Sequence, residues 1–413
     1  MTQSVTVLGA GIVGISCALA LQRRGFQVRL LDRRGPGEET SAGNAGILSY
    51  SNITPLANPA LLSRLHRLLL NRDDDFRLHY PHLLPLLPWL LRFVSRCRRK
   101  TFLRDGAAMS LLTSASIELH KQWILQARAQ DLLNQGGILK LYRSRESFLC
   151  DQLERELMCR SAVRHTLLDA QQAYELEPDL KRIFVQAVLI DESLSIRDPE
   201  QLCKRYAQMF IDTGGEVVRA TVQSLRETSA GWELTTDQAV EATPALVICM
   251  GAWTPGLLGQ LGYANPLAIE RGYHTVFAAA EGVELTRPIF DVDASYVMAP
   301  MAAGLRVTSG TNLTHRETRP DPRQLARIIP RVHEAFPLAA ELLREPWMGR
   351  RPTLPDTLPV IGPAPRHENL WFAFGHSHMG LTLGPITGQL IANFICGDEQ
   401  PFSVTACAPS RHL

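Results

Sequence analysis

The sequence predicts an α/β protein built from two intertwined domains, and three observations support this prediction. Its 413 residues exceed what one small hydrophobic core accommodates. At the N-terminus a buried strand, a glycine-rich turn, an apolar helix and a second strand follow one another. Residues 269–313 are rich in strand-forming segments, which indicates an antiparallel sheet in a second domain.

The first 32 residues carry the most specific motif of the chain. Residues 5–8 are β-branched or aliphatic, as in a buried parallel strand, and Gly9, Gly11 and Gly14 follow at G-x-G-x-x-G spacing. An apolar helix comes next, and a second strand ends on Asp32. Strand, glycines, helix, strand and acid in this order predict a Rossmann-like unit that binds a dinucleotide.

Each part of this motif has a physical role. Gly9 permits a tight turn, Gly11 lets a pyrophosphate approach the backbone, and Gly14 lets the helix pack closely on the strand. The helix N-terminus offers free N–H groups to phosphate, and Asp32 can accept hydrogen bonds from a ribose diol. Asp32 argues against NADP, whose 2′-phosphate it would repel. NAD and FAD both stay open on these residues, and the alternative to a ligand is a tight glycine turn.

Charge and cysteine content exclude several other classes of protein. Lys and Arg number 43 against 41 Asp and Glu, a net charge of +2 that gives no reason to expect nucleic acid. The eight cysteines show no C-x-x-C pair and no metal-ligand spacing, so we predict no metal and reduced thiols. No signal peptide or membrane-spanning segment is visible, and we therefore expect a cytoplasmic protein.

Residues 58–100 have an unusual composition. Leucines between 61 and 69 fall on one helical face, and residues 82–94 are densely apolar with Trp89 and two prolines. Basic residues follow, ending at Lys100. This pattern suits peripheral attachment of 83–100 to a membrane face. The alternative is a buried helix pair with a solvated basic end.

Four further segments are candidates for ligand contact. The loop Thr40–Gly46 is made largely of small residues, which lets its backbone approach a large flat ligand. Gly251-Ala-Trp253 follows a continuous apolar strand, at the strand end where open α/β sheets bind ligands. The tail contains Gly349-Arg-Arg-Pro-Thr-Leu-Pro-Asp356 and a histidine- and glycine-rich segment, Gly375–Gly384.

These motifs occur in the order found in the flavin-dependent D-amino-acid oxidase/dehydrogenase family, which the whole chain resembles. The family carries the dinucleotide motif, the small-residue loop, the Gly-Ala-Trp turn, a G-x-R-P-x-x-P-D segment and a G-H-x-x-x-G-x-T segment. Within it, the Gly-Asn-Ala-Gly loop and the leucine-proline segment near residue 85 look most like bacterial D-amino-acid dehydrogenases. Among these the chain is similar to the type that handles cyclic imino acids such as D-hydroxyproline.

The resemblance implies FAD, held by a Rossmann-like domain interleaved with a smaller antiparallel-sheet substrate domain. We expect residues 1–55, 145–262 and 341–413 in the FAD-binding domain and 56–144 and 263–340 in the substrate domain. The implied FAD contacts run from pyrophosphate and ribose through adenine to the isoalloxazine ring. They are Gly9, Gly11, Ile12, Val13, Gly14, Asp32, Arg33, Thr40, Ser41, Asn44, Ala45, Gly46, Ile47, Leu48, Val218, Gly251, Trp253, Gly375, His376, Met379, Gly380, Leu381 and Thr382.

The resemblance also assigns catalytic roles. Arg351 matches the arginine that clamps the substrate carboxylate, and Tyr273 is a candidate to hydrogen-bond the substrate. His376 and His378 could touch flavin or substrate, whereas His274 is expected to be structural. Residues 380–382, just ahead of a helix, would direct backbone N–H groups at the pyrimidine end of the flavin.

The expected reaction is oxidation of a D-amino or cyclic imino acid, with hydride transfer from the α-carbon to flavin N5. The product is an imine, which water converts to a 2-oxo acid when it is linear. No dedicated general base is required, and a membrane quinone is the expected electron acceptor. Two alternatives stay open: a peroxide-forming oxidase of L-imino acids, sarcosine or glycine, and a non-catalytic dinucleotide-binding module.

Overall fold

A computed structural model describes residues 4–72 and 76–413, so residues 1–3 and 73–75 of the predicted domains lie outside the described residues. The α-helices are α1 (Ile12–Gln22), α2 (Ala60–Ser63), α3 (Leu65–Leu69), α4 (Leu83–Arg96), α5 (Arg99–Gln126), α6 (Arg145–Cys150), α7 (Gln152–Arg160), α8 (Ala170–Leu176), α9 (Pro199–Asp212), α10 (Thr254–Gln260), α11 (Arg323–Ala335) and α12 (Gly380–Cys396). None of the helices within these described ranges combines the length and apolarity needed to cross a bilayer.

The first strands of the chain are β1 (Ser4–Leu8), β2 (Gln27–Asp32), β3 (Ile47–Leu48), β4 (Phe76–Leu78), β5 (Leu133–Asn134), β6 (Ile138–Tyr142), β7 (Thr166–Asp169), β8 (Gln186–Ile190), β9 (Leu194–Ile196), β10 (Glu216–Arg219), β11 (Val222–Thr228) and β12 (Gly231–Thr236). The later strands are β13 (Val240–Thr243), β14 (Leu246–Ile248), β15 (Ala268–Ala279), β16 (Ile289–Asp291), β17 (Tyr296–Met301), β18 (Gly304–Thr308), β19 (Thr311–Thr314), β20 (Leu338–Glu341), β21 (Trp347–Thr353), β22 (Val360–Pro363) and β23 (Leu370–Phe374).

A six-stranded sheet in the order β10-β2-β1-β14-β23-β22 forms the centre of the first domain. Its first five strands are parallel, and β22 runs antiparallel to β23. Because these strands are buried on both faces, their side chains alternate between two separate hydrophobic cores. Val5 and Val7 face helices α1, α5, α9 and α12, whereas Leu8 and Leu246 face the three-stranded meander β11-β12-β13.

The G-x-G-x-x-G turn joins β1 to α1 as predicted from the spacing. Gly9 has a φ of 100°, a left-handed conformation that favours glycine. At Gly14 an added Cβ would overlap the carbonyl oxygen of Gly9. Only the hydrogen atom of a glycine fits between α1 and the turn at this position. The motif therefore fixes both the turn and the distance between helix and strand.

The second sheet has eleven strands, in the order β4-β19-β15-β18-β17-β16-β6-β8-β7, with β20 and β21 also paired to β15. Most of its strand pairs are antiparallel. It has more strands than the first sheet, whereas we predicted that the domain with the antiparallel sheet would be the smaller one. Helices α8 and α11 cover one face, with Leu325, Ile328 and Val332 buried against it. The other face turns toward the first domain.

The predicted domain boundaries differ from this topology in three places. Strands β7 and β8, predicted in 145–262, pair within the second sheet, and β21, predicted in 341–413, pairs with β15. Helix α5, predicted in the substrate domain, packs in the core of the first domain. Local patterns predict strands but not their partners. We propose that 166–190 and 338–353 belong to the second domain and α5 to the first.

Candidate active site

A cavity of about 1200 Å³ lies between the two sheets. On the first domain its wall follows the carboxyl ends of the five parallel strands, where α/β sheets bind ligands. The wall there includes residues 9–13 after β1, 32–33 after β2, 220–223 after β10, 249–253 after β14 and 375–378 after β23. On the other side the wall is the uncovered face of the second sheet.

One end of the cavity is the glycine turn of the first domain. Asp32 ends β2 there, and its carboxylate accepts hydrogen bonds from the backbone N–H groups of Ala10 (2.6 Å) and Arg34 (2.7 Å). Ser41 Oγ accepts a hydrogen bond from the N–H of Ile12, the first residue of α1 (3.1 Å). These bonds hold the turn, the strand end and the small-residue loop together before any ligand binds.

The small-residue loop lies along the middle of the cavity and is fixed from both domains. Thr40 Oγ1 donates to the carbonyl of Arg350 (2.9 Å), and the Arg306 guanidinium donates to the carbonyls of Ala42 (3.0 Å) and Asn44 (2.6 Å). Gly43 has no room for a Cβ because the Trp347 ring occupies that space. The preference for small residues in this loop therefore comes partly from packing against the second sheet.

The N-terminus of α12 also lines the cavity, and this helix packs against α1. This helix begins at Gly380, so the residues predicted just ahead of a helix form its first turn, and no side chain caps it. Buried His120 bonds the carbonyl of Leu381 through Nε2 (2.8 Å) and Tyr206 through Nδ1 (3.0 Å). Burial lowers the pKa of His120 to about 4, so it stays neutral and ties α5 to this turn.

Both histidines of the tail motif line the cavity. His376 Nε2 lies 2.9 Å from Thr387 Oγ1, whose own proton goes to the carbonyl of Leu383. Nε2 is therefore the donor, and burial lowers the pKa of His376 to about 3. His378 turns its surface to the cavity, and its pKa falls to about 4 because of desolvation and the nearby charge of Arg351.

Arg351 projects into the cavity from β21. Its side chain lies over Gly272, where an added Cβ would overlap Nη2. The guanidinium forms no hydrogen bond or ion pair with any residue in the described ranges. A half-buried guanidinium that makes no hydrogen bond to the described residues is a ready partner for an anion.

The Tyr273 side chain lies on the side of the second sheet opposite Arg351, and its substrate contact stays a prediction. Side chains alternate along β15, so Tyr273 points away from the face that carries Arg351. Its ring packs in the core against α11, and its hydroxyl accepts a hydrogen bond from the N–H of Asp321 (2.8 Å). Tyr273 is nevertheless part of the cavity wall. The residues that share the face of Arg351 are Glu270, Gly272 and His274.

Glu270 is the main residue that the sequence analysis missed. It lines the cavity from β15, directly opposite Arg351 on β21. Burial raises the pKa of Glu270 to about 7, against the effect of the Arg351 charge. A charged residue within an apolar strand pattern was the available signal, but its partner lies about eighty positions away and cannot be read locally.

Comparison with known proteins places the chain in a family. Residues 4–394 match the family model described as FAD dependent oxidoreductase. The chain belongs to the FAD-dependent oxidoreductase family. It is 32% identical to D-amino acid dehydrogenase 2 of Ralstonia nicotianae over 95% of this chain and 96% of that one. It is 29% identical to a D-amino-acid oxidase of Bradyrhizobium diazoefficiens over 99% of each.

Solved structures show the same fold. Glycine oxidase from Geobacillus kaustophilus superposes with a TM-score of 0.77 at 20% identity and covers 100% of both chains. L-proline dehydrogenase from P. horikoshii gives a TM-score of 0.74 at 16% identity, over 99% of this chain and 94% of that one. The predicted fold class is therefore confirmed. The family match and the two relatives confirm the predicted family, so the protein is an FAD-dependent oxidoreductase.

The residues present fit FAD. The cavity wall combines a glycine turn at one helix N-terminus, suited to pyrophosphate, with a second helix N-terminus that no side chain caps. Among the predicted contact residues, Gly9, Gly11, Ile12, Val13, Asp32, Arg33, Thr40, Ser41, Asn44, Ala45, Ile47, Gly251, Trp253, Gly375, His376, Gly380 and Leu381 line it. The roles of these residues toward FAD stay predictions.

The other predicted contact residues lie behind the wall: Gly14, Gly46, Leu48, Val218, Met379 and Thr382. Val218 sits within β10, and the wall near it is made by 220–223 after the strand end. Thr382 donates to the carbonyl of Ile47 (3.2 Å) and so links α12 to the small-residue loop. Trp253 is covered by the Arg33 guanidinium, 4.0 Å from the ring centroid.

Gly272 offers a test of the position of Arg351. Gly272→Ala is expected to displace the guanidinium, because the new Cβ overlaps Nη2, and to raise the dissociation constant of carboxylate ligands at least ~10-fold. Gly272 does not have a positive φ, so the backbone tolerates alanine. Titration of the flavin spectrum with carboxylates measures the effect. Unchanged affinity would mean that Arg351 does not bind them.

Proposed function

We propose that this protein oxidises the α-carbon of a D-amino or cyclic imino acid, as a dehydrogenase. The observation that carries the proposal is the free guanidinium of Arg351 on the cavity face of the second sheet. Its planar donors suit bidentate binding of a carboxylate, with charge-assisted bonds worth roughly 1.5–3 kcal/mol. The names of the curated relatives support the D-amino acid as substrate class.

The rest of the cavity supports this assignment. FAD, when bound, supplies the two-electron oxidation by accepting a hydride from the substrate carbon. The first turn of α12 would aim free N–H groups and the positive end of the helix dipole at developing negative charge. The bond from His120 to Leu381 keeps this turn in place, so its orientation is prepared in advance.

The side-chain pocket of the substrate faces the second sheet. Its wall includes Phe290, Val297 and Thr308 from three strands, and Asn52 and Leu56 from the loop before α2. We propose that these residues select among amino and cyclic imino acids, including hydroxyproline. They surround a space large enough for a ring, but they carry no charge that demands a charged substrate side chain.

The experiment for this proposal separates enantiomers and acceptors. Purified protein is mixed with D- and L-proline, D- and L-alanine, sarcosine and glycine, and turnover is followed with a soluble quinone and with oxygen. The proposal predicts D-specific turnover with quinone and little peroxide. Peroxide formation from glycine, sarcosine or an L-imino acid would support the oxidase alternative instead.

We further propose that helix α4 contacts the inner face of a membrane, where a quinone would receive the electrons. Trp89 and Phe93 are buried under the helix, whereas Leu84 and Leu91 are 81% and 63% exposed. One apolar face of α4 is therefore buried, and another is open. An exposed basic flank follows: Arg92, Arg98, Arg99 and Lys100. Apolar residues beside cations suit an anionic lipid surface.

Charged substitutions on α4 test this contact. Leu84→Glu with Leu91→Glu is expected to reduce co-sedimentation with phosphatidylglycerol vesicles at least ~10-fold, because each leucine contributes about 1.5–3 kcal/mol when buried. Leu342→Glu, at a leucine 50% exposed on the second domain, is the matched control and should sediment like the wild type. Equal sedimentation of all three proteins would contradict the membrane contact.

A further inference from the structure

Glu270 is a carboxylate buried in the cavity wall, and one of its two oxygens lacks a hydrogen-bond partner among the described residues. Its side chain is 3% exposed, and Oε2 has no hydrogen-bond partner among the described residues. A buried acceptor left without a partner destabilises a fold by about 1–3 kcal/mol, and more when it is charged. In a ligand cavity, we expect the ligand to provide the hydrogen-bond donor that such a group lacks.

The register of the sheet places this carboxylate beside Arg351. The two residues face each other across β15 and β21, with Cβ atoms about 5 Å apart. They nevertheless form no ion pair within the described part of the chain. The Glu270 carboxyl and the Arg351 guanidinium therefore lie side by side in the cavity wall without bonding to each other.

The other groups around Glu270 do not neutralise it at pH 7. Burial holds the pKa of His274 on the same strand at about 3, and desolvation together with the Arg351 charge lowers that of His378, at the open side of the cavity, to about 4. The strand on the other side, β19, presents Leu313 opposite Glu270. Arg351 is the cation paired with Glu270 across the two strands, so an anion bound to Arg351 would compete with Glu270 for that charge.

We propose that Glu270 binds the cationic nitrogen of the substrate while Arg351 binds its carboxylate. This inference rests on the proposed function and deepens it, since it names what the substrate must carry. The pair matches the two charges of an amino-acid zwitterion or a cyclic imino acid. The pair disfavours 2-hydroxy acids, whose hydroxyl is neutral, and simple carboxylates, which have no nitrogen. Neither gives the Glu270 carboxylate a cationic partner.

Two ligands that differ only in the amine test this pairing. 2-Aminoisobutyrate has no α-hydrogen and cannot be oxidised, and isobutyrate is the same molecule without nitrogen. Their dissociation constants are measured on the FAD-loaded enzyme from the change in the flavin absorption spectrum. The variants are Glu270→Gln and, as a second neutral residue at the site, Glu270→Leu. Glu281→Gln, at an exposed position of the second domain, is the matched control.

Wild type and Glu281→Gln are expected to bind 2-aminoisobutyrate at least tenfold more tightly than isobutyrate. Either neutral variant should remove this preference, weakening 2-aminoisobutyrate and strengthening isobutyrate. A preference that survives in a folded, FAD-loaded variant would overturn the role of Glu270 and leave the proposed function intact. If neither ligand perturbs wild type, the carboxylate site on Arg351 itself is wrong, and both proposals fall.

The dependence on pH gives a second readout. The Glu270 carboxyl is neutral below a pKa of about 7 and charged above it. Binding of isobutyrate to wild type should therefore weaken as pH rises from 6 to 8, because the ionised carboxylate repels a second anion. His274 and His378 titrate well below this range. The curve should be flat in Glu270→Gln, and an equal slope in both proteins would contradict the assignment.

Discussion

Arg351→Ala is expected to raise KM for the substrate by ~100-fold or more, because it removes charge-assisted hydrogen bonds to the carboxylate worth roughly 1.5–3 kcal/mol each. FAD should stay bound, since Arg351 lies on the second sheet and the dinucleotide motif on the first. Steady-state kinetics together with the flavin absorption of the purified variant measure both effects.

Arg323→Ala is the control for this substitution. Arg323 also belongs to the second domain, but its side chain is 71% exposed and pairs with Asp321 at the surface. Its loss should leave KM within about twofold of wild type, since exposed ion pairs contribute little. Loss of FAD from Arg351→Ala, or an unchanged KM, would show that the carboxylate assignment is wrong.

Gly14→Ala is expected to yield protein that loses FAD during purification and unfolds at a lower temperature. The Cβ would overlap the carbonyl oxygen of Gly9, so the helix and the turn must move apart. Overpacking of this kind costs about 1–3 kcal/mol, and the displaced turn no longer presents its N–H groups to a pyrophosphate. Thermal unfolding and the ratio of flavin to protein absorbance measure the two effects.

Gly259→Ala is the matched control for this glycine substitution. Gly259 lies in α10 with nothing within 4 Å of an added Cβ, and alanine there should stabilise the helix by up to about 1 kcal/mol. FAD content should equal that of wild type. If Gly14→Ala retained FAD as firmly as Gly259→Ala, the glycine turn would not be the pyrophosphate site.

Local pattern was enough to predict the strand, glycine turn and helix at the N-terminus of the first domain, which form part of the cavity wall. The strand, turn and helix of residues 4–22 are adjacent in sequence, so spacing alone determines their geometry. The tail motif likewise predicted a cavity segment at 375–382, although α12 begins at Gly380 and includes part of it. Such elements can be predicted because the residues that contact one another are close together in the sequence.

The features that the sequence did not reveal depend on long-range register. Tyr273 and Glu270 lie three positions apart on β15, and which of them faces the cavity is decided by pairing with β21. One residue of offset exchanges the two faces of a strand. The pairing of β7 and β8 with the second sheet was not predicted for the same reason, because their partner β6 lies in another predicted segment. Similarly, the leucine pattern of α4 predicts a helix but not which face is open.

Anaerobic reduction of the bound flavin tests the central claim most directly. The purified, FAD-loaded protein is mixed without oxygen with D- and L-amino acids, including the proline and hydroxyproline isomers, and its visible absorption is recorded. We expect a D-amino or cyclic imino acid to bleach the flavin, and Arg351→Ala to require far more substrate for the same bleaching. A yellow protein that none of these compounds reduces would contradict it.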